Sequence, residues 1–207
     1  MDTALRAGIA LFNEAHHHAA HHAWEEEWLE RPTDTPDEQL LHGLIQYTAA
    51  IYHVHQHNFD GAAGVASSAV GYLETLDPTY RGVCLPPIRN TLVDIAAQPE
   101  AIDPDAVDPI VHRGETPVFV DLNTEELQIV ACILAEEHTS WSRSIIVDAI
   151  SFAEREQPDN RFGALLVDFV TNDTHRSLIY NRLAAHVERE RHRDASVTGL
   201  FDIDDEQ

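Results

Sequence analysis

Residues 36–57 carry the strongest folding instruction in the chain. Thr35 is placed to act as N-cap, Pro36 stands at the first helical position, where an N–H is not needed, and Glu38 completes a capping box. Leu41, Leu44, Thr48 and Ile51 then recur at helical spacing and define one inward face. A helix of this length must bury that face against other helices, and the flanking sequence supplies them. Residues 3–14 and 16–29 read as a helical hairpin broken near Asn13–Ala15. Asn58 breaks the long helix, and another runs from about Phe59 to Leu76. Pro78 and the Pro86–Pro87 pair punctuate the chain before a helix at roughly 88–97.

Beyond residue 98 the texture changes. Pro99, Pro104, Pro109 and Pro117 alternate with Glu100, Asp103, Asp105 and Asp108, which reads as a connector over 99–118. Val118–Val120 reads as a short extended piece. Asn123, with Glu126 three residues on, caps a further helix striped by Leu127, Val130, Ala131 and Leu134. Trp141, Ile145, Ala149 and Phe152 form the stripe of the next, and Phe162, Leu165, Leu166 and Phe169 that of a third. A fourth covers about 174–192. The expected fold class is all-α: an antiparallel bundle of short amphipathic helices over 1–98, then a second small helical bundle over 119–195, with an acidic tail over 196–207.

Charge narrows the setting. Thirty-six acidic residues face 13 basic ones, for a net −23, and every basic residue is arginine. Lysine and glutamate are both ordinary surface residues, so the loss of lysine alone calls for a cause. Molar intracellular salt supplies one: at about 1 M the screening length falls to about 3 Å and a dense carboxylate shell no longer repels itself strongly. The expectation is a halophilic protein. The same balance argues against nucleic acid, because Arg189, Arg191 and Arg193 are interleaved with Glu188, Glu190 and Asp194. No apolar run approaches the length of a membrane span, and no signal-peptide pattern opens the chain. Cys84 and Cys132 alone do not make a disulfide framework, so both are expected as structural thiols in a cytoplasmic protein.

The histidines are the chemically suggestive residues. Five lie within His16–His22, inside an amphipathic segment. On a helix, His17, His21, Trp24, Glu25 and Trp28 share one side, while His18, His22 and Glu26 occupy the neighbouring stripe. Gln46, Ala50, His53 and His57 share a face of the next long helix. Histidine and carboxylate four residues apart can reach one cation, and bundle metal sites are built from facing helices in this way. One expectation is therefore a metal or acid–base site using His21, Glu25 and His53, with His17 or His57 as a further ligand, for zinc, manganese or iron. The alternative is a buried hydrogen-bond network without catalysis. Neither HExxH nor a paired Glu-x-x-His pattern is present, and there is no phosphate-binding glycine loop or nucleophile elbow. Phe12, Trp24, Trp28 and Tyr52 are expected as core anchors.

Two segments resemble the signatures of the DUF309 family. Phe12–Asn13 followed by Ala20-His21-His22-Ala23-Trp24-Glu25-Glu26-Glu27-Trp28 is similar to the first signature; Gly43-Leu44-Ile45-Gln46, Ala50, Tyr52-His53, Asn58 and Gly61-Ala62 are similar to the second. The resemblance covers about residues 5–97. It implies antiparallel helices with the two signature helices facing each other, and a polar site at His21, Glu25, Gln46, His53 and Asn58. It implies no activity. The chain departs from the family in having His22 where glutamate usually follows the signature histidine. Two functions follow as expectations. One is a non-enzymatic interaction module whose polar groups fix helix register and which binds a protein partner or a second copy. The other is a metal-dependent, hydrolase-like enzyme.

Overall fold

The computed structural model describes residues 1–155 and 161–201, with side chains described as far as Asp194. Nine α-helices stand among these residues: α1 (Asp2–Asn13), α2 (His17–Leu29), α3 (Pro36–His55), α4 (Phe59–Leu73), α5 (Leu85–Ala97), α6 (Thr124–Glu136), α7 (Arg143–Arg155), α8 (Arg161–Thr171) and α9 (Arg176–Phe201). A two-residue hairpin, β1 (Thr79–Tyr80) and β2 (Val83–Cys84), is the sole sheet among them. The fold is an all-α bundle, and no described helix is long and apolar enough to cross a membrane. The chain divides into two compact units, one ending at Ile133 and the other beginning at Leu134.

In the N-terminal unit, helices α1 to α5 pack each on the next. Leu5, Ile9, Leu11, Trp24, Leu40, Leu41, Leu44 and Ile51 are wholly buried between them. Gly8 sets the approach of α1 to α2, because a Cβ there would lie 2.1 Å from Nε1 of Trp24. That indole donates to the Leu5 carbonyl at 3.3 Å. Gly43 plays the same part between α3 and α4, where a Cβ would meet Leu73 at 2.4 Å. The break after α1 is a left-handed residue, Ala15, at φ 63°.

The expected connector is packed structure. Asn13, at the end of α1, donates from Nδ2 to the carbonyls of Ile110 and Pro117 and accepts from the Ile110 N–H at 2.7 Å. His112 is buried, bridges to Val83 and Glu115, and its Nε2 bonds the Arg81 carbonyl. The proline-rich stretch therefore continues the first unit, which runs on to Ile133. Three local expectations also change. Val118 leads into a 3-10 turn at Phe119–Asp121, closed by the Asp121 carboxylate accepting from the Val118 N–H. Helix α5 begins at Leu85, so Pro86 and Pro87 sit in its first turn, where proline is tolerated. Trp141 precedes α7 and stacks instead on His138 and Tyr180.

In the C-terminal unit, α7, α8 and α9 pack around Phe152, Phe162, Phe169, Tyr180, Leu183 and Val187. The buried Arg176 donates to the Phe169 and Val170 carbonyls, which end α8, and to Asp173. The expected acidic tail lies in part outside the described residues; α9 extends to Phe201.

Candidate functional site

The α2–α3 pair carries the polar residues, and two contacts give its orientation. Trp28, near the end of α2, bonds to Glu38 near the start of α3, while His17, His18 and His21 at the start of α2 share a cavity with Thr48, Ala49 and Tyr52 near the end of α3. The two helices therefore run antiparallel.

At the Trp28 end lies a chain of side chains absent from the expected site. Half the capping box forms: the Glu38 N–H donates to Thr35 Oγ1, but the Glu38 carboxylate turns inward. Its Oε1 accepts from the Trp28 indole at 2.8 Å and from His42 Nδ1 at 3.2 Å. His42 Nε2 lies 3.1 Å from the Gln46 amide nitrogen. With that nitrogen as donor, the imidazole accepts at Nε2 and donates from Nδ1 to Glu38. The three residues stand at i, i+4 and i+8 on α3, the spacing that brings side chains of one helix face together. The His42 ring stacks on Tyr72 with centroids 4.0 Å apart and packs on Trp28 at 4.7 Å. Gln46 Oε1 is buried without a hydrogen-bond partner. Of the expected polar set only Gln46 belongs here; the spacing Glu38–His42–Gln46 was the available signal.

His53 and Asn58 form a second, separate pair. Asn58 caps α4, its Oδ1 accepting from the Gly61 N–H at 3.2 Å while Nδ2 lies 3.1 Å from His53 Nδ1. A Cβ at Gly61 would lie 2.5 Å from Asn58 Nδ2, which accounts for glycine in that signature position. His57 is past the end of α3 at φ 55°, so it does not share the face of Gln46 and His53.

The remaining expected residues lie on α2. His21 Nε2 is 3.9 Å from the Glu25 carboxylate, a loose contact between partly exposed groups. Burial lowers the His21 pKa, opposed by Glu25 and reinforced by His22 and His18. Burial also lowers that of His17, reinforced by His55 and His16 and opposed by Asp105. His17, His18 and His21 line an open cavity of about 140 Å³ whose far wall is Tyr52. Tyr52 is 53% exposed and so a rim residue, not the expected core anchor. Neither Glu25 nor His53 lines the cavity. Among the described residues of this unit, no three His, Cys, Asp or Glu side chains bring ligand atoms within 4.8 Å of one another.

Comparison with known families places these residues in one context. Residues 5–65 match the family model described as a domain of unknown function, DUF309. The match contains the Trp28–Glu38–His42–Gln46 chain, the cavity and the His53–Asn58 pair. No curated protein matches the chain.

Proposed function

Residues 5–65 belong to the DUF309 family, and from that premise we propose that this domain is a non-enzymatic helical interaction module. Its polar signature groups fix the register of α2, α3 and α4, and its binding surface is the open α2–α3 cleft at Tyr52. The observation that carries this reading is where the signature side chains go. Gln46 joins a chain from Trp28 through Glu38 and His42, and Asn58 ties His53 to the start of α4. Groups bonded to one another, half-buried along α3 in the Gln46 chain and exposed at the Asn58 cap, specify geometry. Catalysis would require them to converge on a shared open point. The surface composition supports a salt-adapted cytoplasmic protein, with −23 net charge and no lysine. Its partner is a protein or a second copy of this chain, with neither nucleic acid nor membrane as target.

A metal-dependent hydrolase is the second reading, favoured by one observation: His17 and His21, both lowered in pKa by burial, line the cleft. One set of measurements in molar KCl separates the two. Gln46→Ala and Asn58→Ala should lower the melting temperature, and Tyr52→Glu should leave it unchanged. Sedimentation velocity and photo-cross-linking from position 52 should give a discrete adduct or oligomer that Tyr52→Glu abolishes. Ester or phosphoester turnover that needs zinc or manganese and disappears in His21→Ala would replace the interaction reading with the hydrolase.

A further inference from the structure

We propose that His18 and His22 form a binding site for a divalent transition-metal ion. It goes beyond the interaction reading and requires no partner. It also uses neither of the histidines that helical spacing first grouped with Glu25.

The two imidazoles stand four residues apart on α2, which projects them one above the other from a single stripe. Their rings meet edge-on with centroids 4.5 Å apart, and ring nitrogens come within 4.8 Å of each other. An ion held at about 2.0–2.1 Å by each nitrogen, with tetrahedral or octahedral angles, requires them to be about 3.0–3.4 Å apart. Rotation about the side-chain bonds of His18 and His22 closes that difference, since the helix already fixes both Cβ positions on one stripe. His18 is exposed and His22 half-buried, so an ion reaches the pair without opening the core. Imidazole pairs favour nickel, copper and zinc over magnesium or calcium, which take oxygen ligands. Two protein nitrogens leave the other coordination positions to water or to a further donor. The helix itself offers a reason for such a staple: His16 at the N-cap of α2 makes no side-chain capping bond, so a cross-link from its first turn to its second would hold the end that lacks one.

The test is calorimetric titration of nickel and zinc chloride into the untagged full chain, with magnesium as control. The His18→Ala, His22→Ala and His17→Ala variants are titrated beside it. One ion per chain is expected, with affinity falling at least tenfold in His18→Ala and in His22→Ala, and changing less than threefold in His17→Ala. Nickel should also slow amide exchange in α2 of the wild type and not of His18→Ala. Because His18 is exposed, that variant folds normally, and its melting temperature without metal checks this. Absence of heat and of exchange protection with both ions would overturn the proposal. So would binding retained in both His18→Ala and His22→Ala, or binding lost in His17→Ala instead.

Discussion

The two units solve the same problem with opposite materials. In the N-terminal unit the interface of α2, α3 and α4 contains a carboxylate, an imidazole, an amide and an indole bonded in series. In the C-terminal unit α7 and α8 are strongly amphipathic and meet α9 chiefly through rings and aliphatic side chains; the buried Arg176 ties the start of α9 to the end of α8, and the ion pairs of Arg155 with Asp194 and Arg191 with Asp148 lie at the exposed rim. A hydrogen bond inside a helix interface has direction and a fixed partner, whereas apolar packing has neither. The first arrangement selects one register at some cost in net stability, and the second gains stability from area. The family match falls on the first.

The comparison can be broken by substitution, read through amide exchange in each unit separately so that each reports its own opening. Phe162 is wholly buried and packs on Phe152 with centroids 5.3 Å apart. Phe162→Ala should cost about 3–5 kcal/mol, chiefly in the C-terminal unit. Glu38→Ala removes the acceptor shared by Trp28 and His42 and should cost about 1–3 kcal/mol in the N-terminal unit. A Glu38→Ala effect larger than that of Phe162→Ala would mean that the polar chain supplies stability as well as register.

Acid sharpens the contrast with a smaller effect. His17, His21 and His112 in the N-terminal unit all have pKa values lowered, each chiefly by burial; in the C-terminal unit His186 is lowered in the same way. A histidine lowered on folding takes up its proton more readily when unfolded. Stability therefore holds above the unfolded value of about 6.5 and declines as pH falls through that value toward the folded ones. With three such groups against one, melting followed from pH 7.5 to 5 should show the N-terminal unit losing stability first. Asp37, lowered chiefly by its hydrogen bond from Arg81, adds a loss only below about pH 4, through the same linkage with the opposite charge. Equal acid sensitivity in the two units would count against the buried imidazoles as its source.

How much of this was legible follows from the range of each interaction. Helix positions follow from local spacing and caps, so Thr35, Pro36 and Asn58 mark real boundaries. The all-α class follows from the same signals. Tyr52, expected as a core anchor, directly follows Ile51: one residue along a helix turns the side chain by about 100°, so Ile51 is wholly buried while Tyr52 is on the rim. The clamp of Asn13 on Ile110 and Pro117 joins residues nearly a hundred positions apart, and no local pattern announces it. That is why the proline-rich stretch reads as a connector by composition and packs as part of the first unit. Of the expected polar site, Gln46, His53 and Asn58 do bond to neighbours, but in two separate groups. Spacing along one helix shows which residues share a face and leaves open which neighbouring helix they meet.

The smallest expected effect tests the rim of the C-terminal unit. Arg191 forks onto Asp148, with Nε and an amino nitrogen 2.6 and 2.5 Å from Oδ2, and also reaches Glu188. The geometry is good, yet the arginine and Asp148 side chains each remain more than a third exposed. Water competes for both groups, and holding two long side chains in one arrangement costs entropy, so Arg191→Ala should change stability by about 0–1 kcal/mol. The effect should shrink further in molar KCl, where screening reaches only about 3 Å. Glu38→Ala should keep more of its effect across the same salt series, because Glu38 is buried and its partners Trp28 and His42 are half-buried. Melting both variants in 0.1 M and in 2 M KCl therefore asks whether interior polar chain and surface ion pairs are different in kind. If the Arg191→Ala effect persists at high salt, the rim contacts are structural in the same sense as the chain on α3, and the division drawn between the two units fails.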